Sequence, residues 1–221
     1  MYTYTSQPKN RIIEEFNKLI IEPLPQEKLD IKLYNYYNKH ASYFEKVEDI
    51  SGNSLISKWI YIKIIYIRIL ETKSEYKEAE KICDEVDILL NKLDKEYYKY
   101  EELFKLSIFW KGVILGYLTK YTASSRLFKQ LLDSGEVTQK NKNWYIYSLR
   151  GLFIRYCNYI MVPAIIMGLA DLALLFIFDY RLSGLGYIYL LICLLYLFKD
   201  VFEKKIITYY VNKKYKTDET I

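Results

Sequence analysis

Glycine and proline are scarce in this 221-residue chain, at 8 and 4 residues, which argues against a turn-rich all-β fold and against a collagen-like repeat. Its 3 cysteines cannot build a disulfide framework. The single histidine, His40, removes most histidine-based catalysis and histidine-rich metal sites. No phosphate-cradling glycine loop, CxxC pair or HExxH motif occurs. The nearest thing, Ser183-Gly184-Leu185-Gly186, opens an apolar run, where glycine serves packing. The carboxylates Glu78, Glu80, Asp84, Glu85 and Asp87 are spaced along one helical solvent face, without the convergent cleft that paired acid/base chemistry requires. Cys83, Cys157 and Cys193 are isolated. The expectation is a protein that is not an enzyme and that uses no cofactor or metal.

An excess of one charge is lacking too. Residues 1–150 carry 24 basic and 21 acidic groups, and residues 151–221 carry 8 and 6. A nucleic-acid footprint would gather Lys and Arg on one face, whereas mixed signs read as a solvated surface, so no nucleic-acid partner is expected.

What the chain does have is apolar content, 52%, beside 27% charged residues, enough to fold. Two runs near the C-terminal end stand out. Residues 159–178 form 20 positions with one ionisable group, Asp171, and residues 182–198 form 17 with none. A spanning helix needs about 20 mostly apolar residues. The short connection between the runs predicts a helical hairpin through a bilayer, because helices satisfy their own backbone there. Pro163, Gly168 and Asp171 mark a kinked, close-packed face towards Gly184 and Gly186 of the second run. An intramembrane acid is costly, so Asp171 is the candidate intramembrane functional residue.

Lys140, Lys142, Arg150 and Arg155 precede the first run, and Lys199, Lys204, Lys205, Lys213, Lys214 and Lys216 follow the second. The positive-inside rule then puts both ends in the cytoplasm, at an inner or plasma membrane. The opening residues MYTYTSQPKN lack the apolar core of a signal peptide, which supports a cytosolic N-terminal region. The segment 201–221 reads as a basic amphipathic tail. Lys199 just before it and Lys204, Lys205, Lys213 and Lys214 within it face anionic lipid, with Val201, Phe202, Ile206 and Tyr210 turned inward.

Residues 1–150 show helical periodicity, with helices expected at about 9–21, 27–49, 54–73, 75–94, 95–120, 121–133 and from 140 into the first span. Ser74 is placed to cap the helix that Glu75 begins, and Ser134-Gly135 to close another. Two stretches, 55–70 and 103–118, are apolar enough to resemble spans. Lys63 and Lys111 near their middles, where a charge costs about 2.5–3.5 kcal/mol in a bilayer, make them central helices of a soluble array with the lysines snorkelling outward. The tyrosine clusters at Tyr34, Tyr36, Tyr37 and Tyr43, and at Tyr97, Tyr98 and Tyr100, read as core or as a recognition face.

A weak internal repeat relates Tyr76, Ala79, Cys83 and Val86 to Tyr121, Ser124, Phe128 and Leu131 at an offset of 45, with Tyr37, His40, Phe44 and Val47 fitting the same template. The order resembles the second helix of a tetratricopeptide repeat, and Gly112 matches the close-packing glycine of its first helix, with Gly116 one turn later extending the small-residue face. The period is longer than that family's 34 or so residues, Trp59 is out of register and no closing proline occurs. The resemblance implies stacked helical hairpins that bind other proteins. The organisation expected is therefore all-α: a cytosolic repeat-like domain over 1–150, a transmembrane hairpin over 151–200 and a tail over 201–221. Two functions compete. One is a membrane-anchored scaffold or adaptor for a protein partner at the cytoplasmic face. The other is a membrane effector whose hairpins assemble, as a homo-oligomer, into a pore lined by Asp171.

Overall fold

The computed structural model describes residues 7–44, 51–178 and 201–216, with the side chains at 7–10, 161, 171, 172, 174–178 and 202 excepted. Every element among them is helical. In order they are α1 (Gln7–Ile21), α2 (Gln26–Lys39), α3 (Ala41–Phe44), α4 (Asn53–Thr72), α5 (Tyr76–Lys92), α6 (Tyr100–Tyr117), α7 (Tyr121–Asp133) and α8 (Gln139–Phe178). A π-helical turn (Phe202–Ile207) and α9 (Thr208–Lys214) complete the series. The chain forms two compact units, residues 1–118 and 119–221. The second predicted run, with Gly184, Gly186 and Lys199, lies outside the described residues, as does Val47.

In the first unit α4 is central and packs against α1, α2, α5 and α6. Its Ile60, Ile62, Ile64, Ile67, Ile69 and Leu70 are all buried, so this helix is apolar on nearly every side and has neighbours for each. Burying one such side chain contributes about 1.5–3 kcal/mol. The stretches 55–70 and 103–118 thus become α4 and most of α6, core helices of a helical bundle. The helix–helix packing is consistent with a helical repeat.

The two lysines of those helices differ, and only Lys63 departs from the sequence expectation. Lys63 does not snorkel: it is fully enclosed, ion-paired with Glu85 of α5 and hydrogen-bonded to the Tyr37 hydroxyl at 3.1 Å. Lys111 of α6 donates to Asp84 at 2.9 Å and to Asp87 at 2.5 Å. Burial alone would lower the Lys111 pKa, but the bonds to Asp87 and Asp84 outweigh it and hold the ammonium well above its ordinary value. The acids of α5 are therefore not simply a solvent face. Within about one turn they receive a lysine from each of the two apolar helices beside them.

The first tyrosine cluster is consumed in packing. Tyr37 stacks between Tyr66 at 3.7 Å and Phe44 at 4.6 Å, and Tyr34 stacks on Tyr66 at 5.8 Å. The Tyr36 hydroxyl donates to the Ile12 carbonyl and to Glu15, tying α2 to α1. The predicted helix over 27–49 is interrupted at His40, whose φ of −112° and ψ of 19° end α2. Nothing in the residue types announces that break, since neither glycine nor proline is near. The helix expected from 95 begins at Tyr100, after turns at 94–99.

Two interhelical turns share one backbone form. Ser74 does not cap α5. It has φ +61°, its N–H donates to the Glu71 carbonyl, and that of Glu75 donates to Leu70, which closes the end of α4. Thr119 has φ +58° in the corresponding place after α6. The following residues, Glu75 (φ −86°, ψ 53°) and Lys120 (φ −81°, ψ 52°), also match, and Tyr76 and Tyr121 then open α5 and α7. The offset of 45 seen in the side chains is thus repeated in the backbone. The third fit is not: Tyr37 lies inside α2 and opens no helix.

Candidate membrane-facing site

α8 starts at a polar cap and ends in an apolar stretch. The Thr138 hydroxyl accepts the Asn141 N–H at 3.1 Å, the usual arrangement at a helix start. From there the helix runs 40 residues, about 60 Å at about 1.5 Å per residue.

Its first part belongs to the second unit's core. The Ser124 and Ser148 hydroxyls meet at 2.7 Å, both wholly enclosed, and Phe128 stacks on Trp144 at 6.0 Å. Tyr121 lies so close to Gly151 that a Cβ there would stand 2.5 Å from three of its ring atoms. A side chain at 151 would separate α7 from α8. In sequence, Trp144, Ser148 and Gly151 carry no signal of this contact, because the chain from 140 reads as one helix leading into a span.

The outer part has little such cover among the described residues. Tyr159, Ile160, Val162, Ile165, Ile166, Met167 and Leu169 are all exposed. Successive positions 165, 166 and 167 point about 100° apart, so the exposed apolar surface is far broader than one stripe, while Cys157, Ala164 and Gly168 on the remaining side are half-buried. Among the described residues α8 is the helix long and apolar enough to cross a membrane. Pro163 is exposed, Gly168 half-buried, and Asp171 lies on the same helix with its side chain outside the described set.

After residue 200 the chain is back beside the start of α8. The Arg150 guanidinium donates to the Thr208 hydroxyl at 3.2 Å and lies 3.9 Å from the Glu203 carboxylate. Further on, Tyr215 sets its ring edge-on to Tyr145 at 6.1 Å and donates its hydroxyl to Asp133 at 2.7 Å. Burial and that bond push the Tyr215 pKa up. Contacts running from 203 and 208 at Arg150 to 215 at Tyr145 make the returning segment antiparallel to α8. The residues it turns to the protein are Val211 and Tyr215, while Val201, Ile206 and Tyr210 are exposed with Lys204, Lys205, Lys213 and Lys214. Lys213 and Lys214 rest on the Tyr209 and Tyr215 rings and lie towards the N-terminal end of α8, away from its apolar half.

In the repeat positions, Ala79 and Ser124 are fully buried, Cys83, Phe128, Gly112 and Gly116 are buried, and Tyr76 stacks on Tyr117 at 4.6 Å. Burial pushes the Cys83 thiol up to about 12, so it is no nucleophile. Among the described residues no cluster of His, Cys, Asp and Glu could hold a metal ion. No protein-family model, curated protein or solved structure matches the chain.

Proposed function

We propose that this protein is a membrane-anchored helical scaffold. A two-span hairpin over 159–178 and 182–198 holds the helical units at the cytoplasmic face, where they bind a protein partner. The observation that carries the reading is the exposure of apolar side chains over most of the circumference of the outer half of α8. In water that surface would be a severe liability, whereas in lipid it is matched. The return of Thr208 to Arg150 supports the hairpin, because the chain that leaves along α8 ends on the side it left from. The turn chemistry shared at 74 and 119 supports the helical-repeat element of the reading.

The experiment is topology mapping of the full chain in native membranes, with an impermeant label on single cysteines placed near residues 5 and 218. Both sites shielded from outside, with the protein resisting alkaline extraction, is the expected result. Termini on opposite sides would end the hairpin reading. Crosslinking in the same membranes should then recover a reproducible protein partner. A defined oligomer that makes vesicles leak dye, and stops doing so in Asp171→Asn, would replace the scaffold with a pore.

A further inference from the structure

The outer half of α8 begins with a shallow groove of about 400 Å³, lined by Arg155, Asn158, Tyr159, Val162 and Pro163. We propose that it binds an anionic phospholipid whose headgroup also carries a hydrogen-bond donor, phosphatidylglycerol being the simplest. The proposal rests on the membrane reading above and adds a specific lipid to it.

Three features of the groove fit that ligand. First, it changes chemistry along the helix axis, from the guanidinium of Arg155 and the amide of Asn158, through Tyr159, to Val162 and Pro163. The eight-residue step from 155 to 163 covers about 12 Å, comparable to the passage from headgroup to acyl chain. Second, its cation is uncommitted. Arg150, five residues earlier, is engaged by Thr208 and Glu203, whereas Arg155 is exposed and has no carboxylate partner among the described residues. Lys204 and Lys205 follow Glu203 directly and are exposed too. The Glu203–Arg150 contact therefore sets them within about 8 Å of Arg155 along the axis, inside a Debye length at physiological salt. A headgroup layer is a plane, so cations sharing a level act on it together even from different faces. Third, the groove is lined by a residue whose carbonyl lacks its usual helix donor. Pro163 lies inside α8 and has no N–H, so the Tyr159 carbonyl, four residues back, loses its usual donor. A headgroup hydroxyl can donate to that carbonyl while the phosphate meets Arg155.

The test uses the full chain in mild detergent. Native mass spectrometry would count retained lipid when phosphatidylglycerol competes with phosphatidylcholine, or with phosphatidylmethanol, which is anionic but lacks the headgroup hydroxyl. Phosphatidylglycerol should win against both. Arg155→Gln should reduce its preference over phosphatidylcholine about fivefold, the worth of about 1 kcal/mol for one cation near the headgroups. Lys204→Gln with Lys205→Gln should reduce it further. Pro163→Ala restores the donor to Tyr159 and should erase the preference over phosphatidylmethanol while leaving that over phosphatidylcholine. Equal retention of all three lipids, or an unchanged preference in Arg155→Gln, overturns the proposal. So does full competition by soluble glycerol phosphate, which would make the groove a site for a free anion. Alkaline extraction of the same variants separates the two readings. Protein released from the membrane breaks the anchor itself, whereas retained protein without lipid preference breaks this inference alone.

Discussion

α4 and the outer half of α8 have nearly the same apolar character and opposite surroundings. In α4, Ile60, Ile62, Ile64, Ile67 and Ile69 are buried within the protein, and the one charge at mid-helix, Lys63, has Glu85 to meet it. On α8, Ile160, Ile165, Ile166 and Leu169 are exposed. Hydropathy alone does not separate a core helix from a membrane helix. What separates them is whether another segment of the chain supplies apolar cover and an opposite charge, and α5 supplies both to α4. It carries Ala79, Ile82, Val86 and Leu89 on its buried side and Glu85 at the height of Lys63.

The comparison breaks most severely at the ion pair. Glu85→Ala leaves a fully enclosed ammonium with its carboxylate gone, and should destabilise the first unit by about 3–5 kcal/mol. Lys63→Met should cost far less, because the Glu85 side chain is 26% exposed and can turn to water. Adding Lys63→Met to Glu85→Ala should recover most of the loss. Thermal unfolding of the full chain followed by circular dichroism would rank the three. Equal losses for both single variants would show that Lys63 is not as enclosed as its surroundings indicate.

A charge moved into each helix sharpens the contrast from the other side. Ile166→Arg should weaken membrane insertion by about 2.5–3.5 kcal/mol, read as the inserted fraction in a glycosylation-mapping assay. Ile67→Arg should leave insertion unchanged and unfold the first unit, since Ile67 is 1% exposed. If Ile67→Arg impaired insertion as much, α4 would be the membrane helix.

Much of this was legible beforehand, and what was not has a common cause. Helix positions in 53–133 follow from periodicity, and the apolar run from 159 is evident from composition. The offset of 45 was visible in Tyr76 and Tyr121, and the backbone repeats it at Ser74 and Thr119. The fate of Lys63 was not legible, because its partner stands 22 residues away on another helix. The end of α2 at His40 was not legible either: Tyr37 and Phe44 stack face to face across it, a contact that residue types alone do not announce. Gly151 is a glycine in a helix interior, which normally costs about 1 kcal/mol, and only its proximity to Tyr121 explains it.

That glycine gives the third prediction, in the second unit. Gly151→Ala puts a methyl where the Tyr121 ring already lies, and should destabilise the α7–α8 contact by about 1–3 kcal/mol. Tyr121→Ala in the same chain should make Gly151→Ala nearly harmless. A double-mutant cycle on the unfolding midpoint measures the coupling, and strict additivity would mean that the ring moves aside freely.

The smallest effect is invisible at neutral pH. Cys83 is buried on α5, and its thiol is raised from 9.0 to about 12 by that burial. Well below pH 9 the thiol is protonated whether the chain is folded or not, so it contributes no pH dependence there. Between 9 and 12 the unfolded chain releases the proton that the folded chain keeps, so stability falls as pH rises, by up to about 1.4 kcal/mol per pH unit. Tyrosines and lysines titrate in the same range, so the readout is the difference between the native chain and Cys83→Ala. The variant starts lower, having lost a buried sulfur, and its midpoint should fall less steeply from pH 9 to 10.5. Parallel curves would mean that water reaches the thiol, and that the face of α5 packed against α4 is looser than the enclosure of Lys63 requires.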